Sequence, residues 1–94
     1  MNRSQLLSAL KLDRFIAFDF ETTGLEVSND RPIEVAAVMF EGGKPSDRFC
    51  TLINPQQPIS NLIHEITGIS NDMVSEAPLE KDIIDDLLNF LGDI

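Results

Sequence analysis

Apolar and polar residues fall into blocks whose period changes along the chain. From Ser4 to Leu12, Leu6, Leu7 and Leu10 recur at helical spacing and predict a short amphipathic lead-in helix over residues 1–13. Phe15–Phe20 (FIAFDF) is a nearly continuous run of strand formers, the pattern of a central strand buried on both faces. Glu21–Arg31 is polar, contains Gly24 and stops before Pro32, so it reads as a loop. Ile33–Phe40 (IEVAAVMF) predicts a second strand and Asp47–Ile53 (DRFCTLI) a third, joined through Glu41-Gly42-Gly43-Lys44-Pro45 as an antiparallel hairpin. Polar alternation in the third strand places it nearer a sheet edge.

Beyond Ile53 the period changes. Asn54-Pro55-Gln56-Gln57-Pro58 is a turn-rich connector that excludes a central strand. Asn61–Ile66 predicts a short helical turn ended by Gly68, and Ser70-Asn71-Asp72 caps another short piece running to Glu76. From Pro78 onward Leu79, Ile83, Ile84, Leu87, Leu88 and Leu91 form one apolar stripe. Pro78 suits the first helical position and Gly92 the stop. Helix, three strands, connector and helix describe an α/β chain whose single long helix leaves one sheet face thinly covered. The order matches the opening portion of a domain, with residues 14–94 as that portion.

Charge narrows the chemistry. Sixteen acidic against seven basic residues give a formal charge of −9, which excludes a broad basic surface as the means of holding nucleic acid. Six Phe with no Trp or Tyr leave little for a base-stacking platform. Cys50 is the single cysteine, so no internal disulfide is available and a cytoplasmic location is expected. No apolar run is long enough for a bilayer, and no membrane partner is expected.

Asp19 and Glu21 are the sharpest feature. Two positions apart on a strand they share a face, with Cβ atoms roughly 6.5–7 Å apart. Inside an apolar strand an unpaired Asp19 would be costly, and Arg14 lies too far along the chain to neutralise it. A hard divalent cation would resolve the problem, and paired carboxylates suit two-ion phosphoryl transfer. Solvated acids at a frayed strand end are the competing account. Thr22-Thr23-Gly24-Leu25 follows directly: two hydroxyls, a glycine that lets backbone N–H groups approach a sugar or phosphate, and an apolar side chain able to press on a base. A polar turn in which Gly24 supplies positive φ is the bland alternative.

FIAFDFETTGL, IEVAAV, the hairpin, LINPQQPIS and IHEITGIS, in this order, resemble the N-terminal half of the DnaQ-like (DEDD superfamily) 3′–5′ exonucleases. The resemblance runs from about Arg14 onward and implies a partial RNase H-like fold, a three-stranded antiparallel start of a mixed sheet plus helices. It implies a metal-dependent 3′–5′ exonuclease with Mg²⁺ or Mn²⁺ as cofactor. The implied partners are a single-stranded 3′ end of DNA or RNA and a DNA polymerase or helicase. By the same resemblance Asp19 and Glu21 are first-motif metal ligands and catalytic acids. Thr22, Thr23, Gly24 and Leu25 contact the terminal nucleotide, and Ile63 and His64 border its base and sugar.

The family's second motif (H-N-x-x-F-D) and its third, with His or Tyr before Asp, do not occur in these residues. The chain therefore carries two of the four implied carboxylates and no general base, and these 94 residues alone are expected to be inactive. Asp82, Asp85, Asp86 and Asp93 fall on the outer face of the last helix as solvated charge. Glu34 reads as structural, pairing with Arg14 or Arg31, with an acid supporting the metal ligands from behind as the alternative. The alternative function is a non-catalytic interaction or oligomerisation module, indifferent to metal and able to form a homodimer.

Overall fold

In the computed structural model, residues 2–10, 13–26 and 28–92 are described. In chain order the elements are α1 (Arg3–Ala9), β1 (Arg14–Thr22), β2 (Pro32–Glu41), β3 (Lys44–Leu52), α2 (Asn61–Thr67), α3 (Asn71–Ser75) and α4 (Glu80–Leu91). Alternation along β2 decides how they assemble. Ile33, Val35 and Ala37 are buried on one face, and the intervening Glu34, Ala36 and Val38 are half-buried on the other. β2 pairs antiparallel with β1 on one side and β3 on the other, giving the order β1-β2-β3. Gly42 and Gly43, at φ +60° and +81°, close the β2–β3 hairpin in the left-handed conformations that a two-residue turn of this kind demands.

Helices α2, α3 and α4 pack on the face carrying Ile33 and Val35. One cluster joins Ile33, Ile59, Ile69 and Val74, with Leu52, Ile63 and Ala77 against it. The other joins Val35, Ile53 and Ile83, with Phe49 against it. Capping sets the short helices. The Ser60 hydroxyl accepts from the Ile63 N–H and Gly68 ends α2 at φ +76°, while the Ser70 hydroxyl accepts from the Met73 N–H to start α3.

Four expectations change. β1 is not a central strand buried on both faces. Among the described residues it pairs only with β2, and Phe18 and Phe20 are 46% and 48% exposed, stacked at 6.2 Å. Its apolar composition fits a two-sided strand, but here only one flank is paired. Second, β3 begins at Lys44 rather than Asp47, because the two-glycine turn is tight enough to bring Lys44 opposite Glu41. Third, α4 begins at Glu80. The Asn54 N–H donates to the Pro78 carbonyl and Asn54 bridges Leu79, so both residues stay extended and Leu79 becomes the cap.

The last change is rotational. Ile83 is buried and Phe90 lies 5.9 Å from Phe49, whereas Ile84 and Leu88 face solvent. Asp82, Asp85 and Asp86 are exposed as expected; Asp93 lies outside the described residues. The lead-in helix is Arg3–Ala9, capped by Asn2, whose side chain accepts from the Gln5 N–H. Leu6 and Leu10 are exposed; Lys11, Leu12 and the Leu7 side chain lie outside the described residues. Arg3 reaches the Gly43 carbonyl at 3.3 Å, which sets α1 beside the hairpin turn.

Candidate functional site

Register places the acids. Asp19 pairs with Ala36 and Glu21 with Glu34, so Asp19, Glu21 and Glu34 share the sheet face opposite the helices. Asp19 is exposed and Glu21 and Glu34 are half-buried. The burial cost that the sequence pattern assigned to Asp19 therefore does not arise. What distinguishes the position is geometry: two carboxylates on one strand face, with a third directly across from Glu21. Like charges opposed across a strand pair repel. Arg14 bonds Glu41 at 3.4 Å, the one ion pair among the described residues, so Glu34 does not take Arg14 or Arg31 as expected. No three His, Cys, Asp or Glu side chains among the described residues converge to hold a metal. The two carboxylates on β1 are hard oxygen donors that could hold a divalent ion only weakly.

The segment after Glu21 is tightly organised. The Thr22 hydroxyl donates to the Gly24 carbonyl. The Thr23 hydroxyl donates to Asp30 Oδ1 at 2.9 Å and accepts from the Arg31 N–H at 2.9 Å. Asp30 Oδ2 accepts from the Glu26 N–H at 2.7 Å. Backbone bonds from Thr23 to Arg31 and from Asp30 to Glu26 complete the turn. Gly24 is absent from the positive-φ positions, so the turn does not need glycine for its torsion. The close approach of Asp30 does: a Cβ on Gly24 would lie 2.5 Å from Asp30 Oδ2 and 2.8 Å from its Cγ. Leu25, next in sequence, is fully exposed at 100%. A cavity of about 240 Å³ is lined by Thr22, Gly24, Leu25, Glu26, Asp30 and Pro32.

Ile63 and His64 lie on α2. Ile63 is half-buried against the cluster containing Ile33, one residue from Pro32, which pairs with Thr22. This puts α2 at the same end of the sheet as the Thr22–Leu25 turn. His64 is exposed, with its backbone bonded to Ser60 and Gly68. A larger cavity of about 700 Å³, between the Ser28–Pro32 stretch, the connector and the start of α4, contains none of the expected site residues. Asp30 went unnoticed in the sequence. Its signal was an Asx residue shortly before Pro32, closing a loop that opens with Thr-Thr-Gly.

Comparison with known proteins places this geometry. The RNase_T exonuclease family model matches residues 16–94. The chain is 43% identical over 84 residues to the DNA polymerase III PolC-type of Bacillus subtilis (strain 168), covering 89% of the chain and 6% of that protein. It is 46% identical over 76 residues to the DNA polymerase III PolC-type of Caldanaerobacter subterraneus subsp. tengcongensis, covering 81% of the chain and 5% of that protein. Among solved structures, the nuclease domain of 3′hExo, a DEDDh family member bound to rAMP, superposes at a TM-score of 0.74 with 22% identity, over 83% of this chain and 43% of that one. Exonuclease X in complex with 5′ overhanging duplex DNA superposes at 0.68 with 30% identity, over 77% of this chain and 42% of that one. The fold is therefore the RNase H-like fold of exonucleases, and the chain spans less than half of these structures and about one-twentieth of the polymerases.

Proposed function

The chain belongs to the RNase_T exonuclease family, and from that premise we propose that it supplies the first-motif part of a metal-dependent 3′–5′ exonuclease site. The carrying observation is the pairing of Asp19 and Glu21 on one face of β1, followed at once by a turn that projects Leu25 into solvent. The proposed substrate is a single-stranded 3′ end of DNA or RNA. PolC-type relatives favour DNA and a polymerase setting over a helicase. Family membership also favours this reading over a non-catalytic interaction module.

Asp19 and Glu21 would hold Mg²⁺ or Mn²⁺, since carboxylate oxygens suit such hard ions. When bound, the ions supply charge stabilisation at the phosphoryl group and activation of water. The chain's own residues orient the substrate. Backbone at Gly24 lies close to the acids in sequence, and Leu25 offers an apolar surface to the terminal base. Ile63 and His64 sit at the same end of the sheet and would border the sugar and base.

Titration of ¹⁵N-labelled protein with Mn²⁺ tests this assignment. Paramagnetic broadening is expected to centre on the amides around Asp19 and Glu21 and to disappear in Asp19→Ala. Uniform broadening, or broadening that survives the substitution, would remove the metal from this strand.

A further inference from the structure

We propose that Asp30 is the positioning residue for nucleotide binding, its carboxylate fixing the Thr22–Glu26 turn in the shape that presents Gly24 and Leu25. The inference rests on the nucleotide-site reading above and adds to it a residue that acts through Thr23 and Glu26. Both oxygens of this half-buried carboxylate are engaged within the turn, Oδ1 by the Thr23 hydroxyl at 2.9 Å and Oδ2 by the Glu26 N–H at 2.7 Å. These two bonds straddle Gly24 and Leu25, so the ends of the exposed segment are tied to one rigid group. The Asp30 backbone is itself held, its N–H donating to the Glu26 carbonyl at 2.7 Å. Gln57 braces the preceding residue by donating to the Asn29 carbonyl at 2.9 Å.

A consequence concerns Gly24. The three atoms nearest to a Cβ placed there belong to the Asp30 carboxylate, at 2.5–2.9 Å, and that group cannot swing aside without losing its two bonds. Glycine is required because the positioning group lies over it. The Thr23 hydroxyl, bonded to Asp30 and to the Arg31 N–H, is likewise committed to the turn. A fully exposed leucine is the last residue that would hold a fixed place by itself. Ordering it beforehand removes a cost that binding would otherwise have to meet.

The test is titration of the 94-residue protein with dTMP in the presence of Mg²⁺, followed through the Gly24 and Leu25 amide resonances. The wild type is expected to show saturable shifts. Asp30→Asn keeps the shape but loses the doubly accepting carboxylate. It is expected to weaken dTMP binding by roughly tenfold or more, the scale of one charge-assisted hydrogen bond. Mn²⁺ broadening at Asp19 and Glu21 should be retained, a readout that general unfolding would not spare. Gly24→Ala should weaken binding in the wild type and add nothing in Asp30→Ala, because the clashing group is then gone.

Wild-type affinity in Asp30→Asn overturns the positioning role while leaving the nucleotide site standing. So does a further loss from Gly24→Ala in the Asp30→Ala background, which would mean that the nucleotide itself excludes the Cβ. No dTMP response in the wild type overturns the nucleotide-site reading and the Asp30 role with it.

Discussion

Asp19 stands exposed on the strand face opposite the one that packs against α2, α3 and α4, so exchanging it for Ala removes charge without opening a cavity. Thermal unfolding of Asp19→Ala should differ from wild type by no more than about 0.5 kcal/mol, the usual range for a surface change. Relief of repulsion among Asp19, Glu21 and Glu34 should push any difference toward greater stability. Divalent ions reverse that sign. With millimolar Mg²⁺ the wild type should gain stability and Asp19→Ala should not, since ligand binding to the folded form alone is stabilising. Differential scanning fluorimetry with and without Mg²⁺ reads both effects, and equal metal responses in the two proteins would sink the assignment. The D-x-E spacing was legible because strand period alone fixes a common face. The role of Asp30 was not, because a carboxylate folding back over a glycine six positions earlier depends on loop geometry that no periodicity encodes.

At the scale of elements, α4 offers the sharpest contrast. Its residues Ile83 and Ile84 are neighbours of identical chemistry, yet Ile83 is 6% exposed against Val35 and Ile53 and Ile84 is 45% exposed. Ile83→Ala should cost about 2–5 kcal/mol through lost burial and a residual cavity. Ile84→Ala should cost about 0.5 kcal/mol or less. Urea unfolding followed by circular dichroism distinguishes them, and equal costs would mean that the helix is rotated from the orientation described. The apolar stripe showed that a helix exists there. It was too broad to show which edge faces the sheet, a choice settled by Phe90 meeting Phe49 on the far strand. Strand existence, the two-glycine turn and the Ser70 cap were readable because each is a local rule. The exposure of β1 was not, because an apolar strand reads the same whether its second flank is paired or open.

For the molecule as a whole, the decisive quantities are ligand count and uncovered surface. Two strand carboxylates, with no third group converging on them among the described residues, could hold a divalent ion only weakly. Mononucleotide release from a 3′-labelled oligonucleotide by these 94 residues should therefore stay at background with Mg²⁺ or Mn²⁺. Robust release that vanishes in Asp19→Ala would defeat this expectation. Shape points to a second property. The radius of gyration is 16.3 Å, against about 12 Å for a compact chain of this length, with extents of 51 × 26 × 23 Å. Along this elongated body β1 is an edge strand among the described residues, and it carries Phe18 and Phe20, nearly half exposed and stacked on each other. Such an edge favours pairing with another strand, a second copy of the chain included. A net charge of −9 opposes association between copies, and salt screens that repulsion without weakening apolar burial. Sedimentation velocity should accordingly show association that rises with protein concentration and strengthens from 50 mM to 500 mM NaCl. A Phe18→Lys, Phe20→Lys double substitution should hold the chain monomeric under both conditions, because charge on an open edge blocks pairing. A wild type that stays monomeric at high salt would mean that the acids on β1 outweigh its exposed rings.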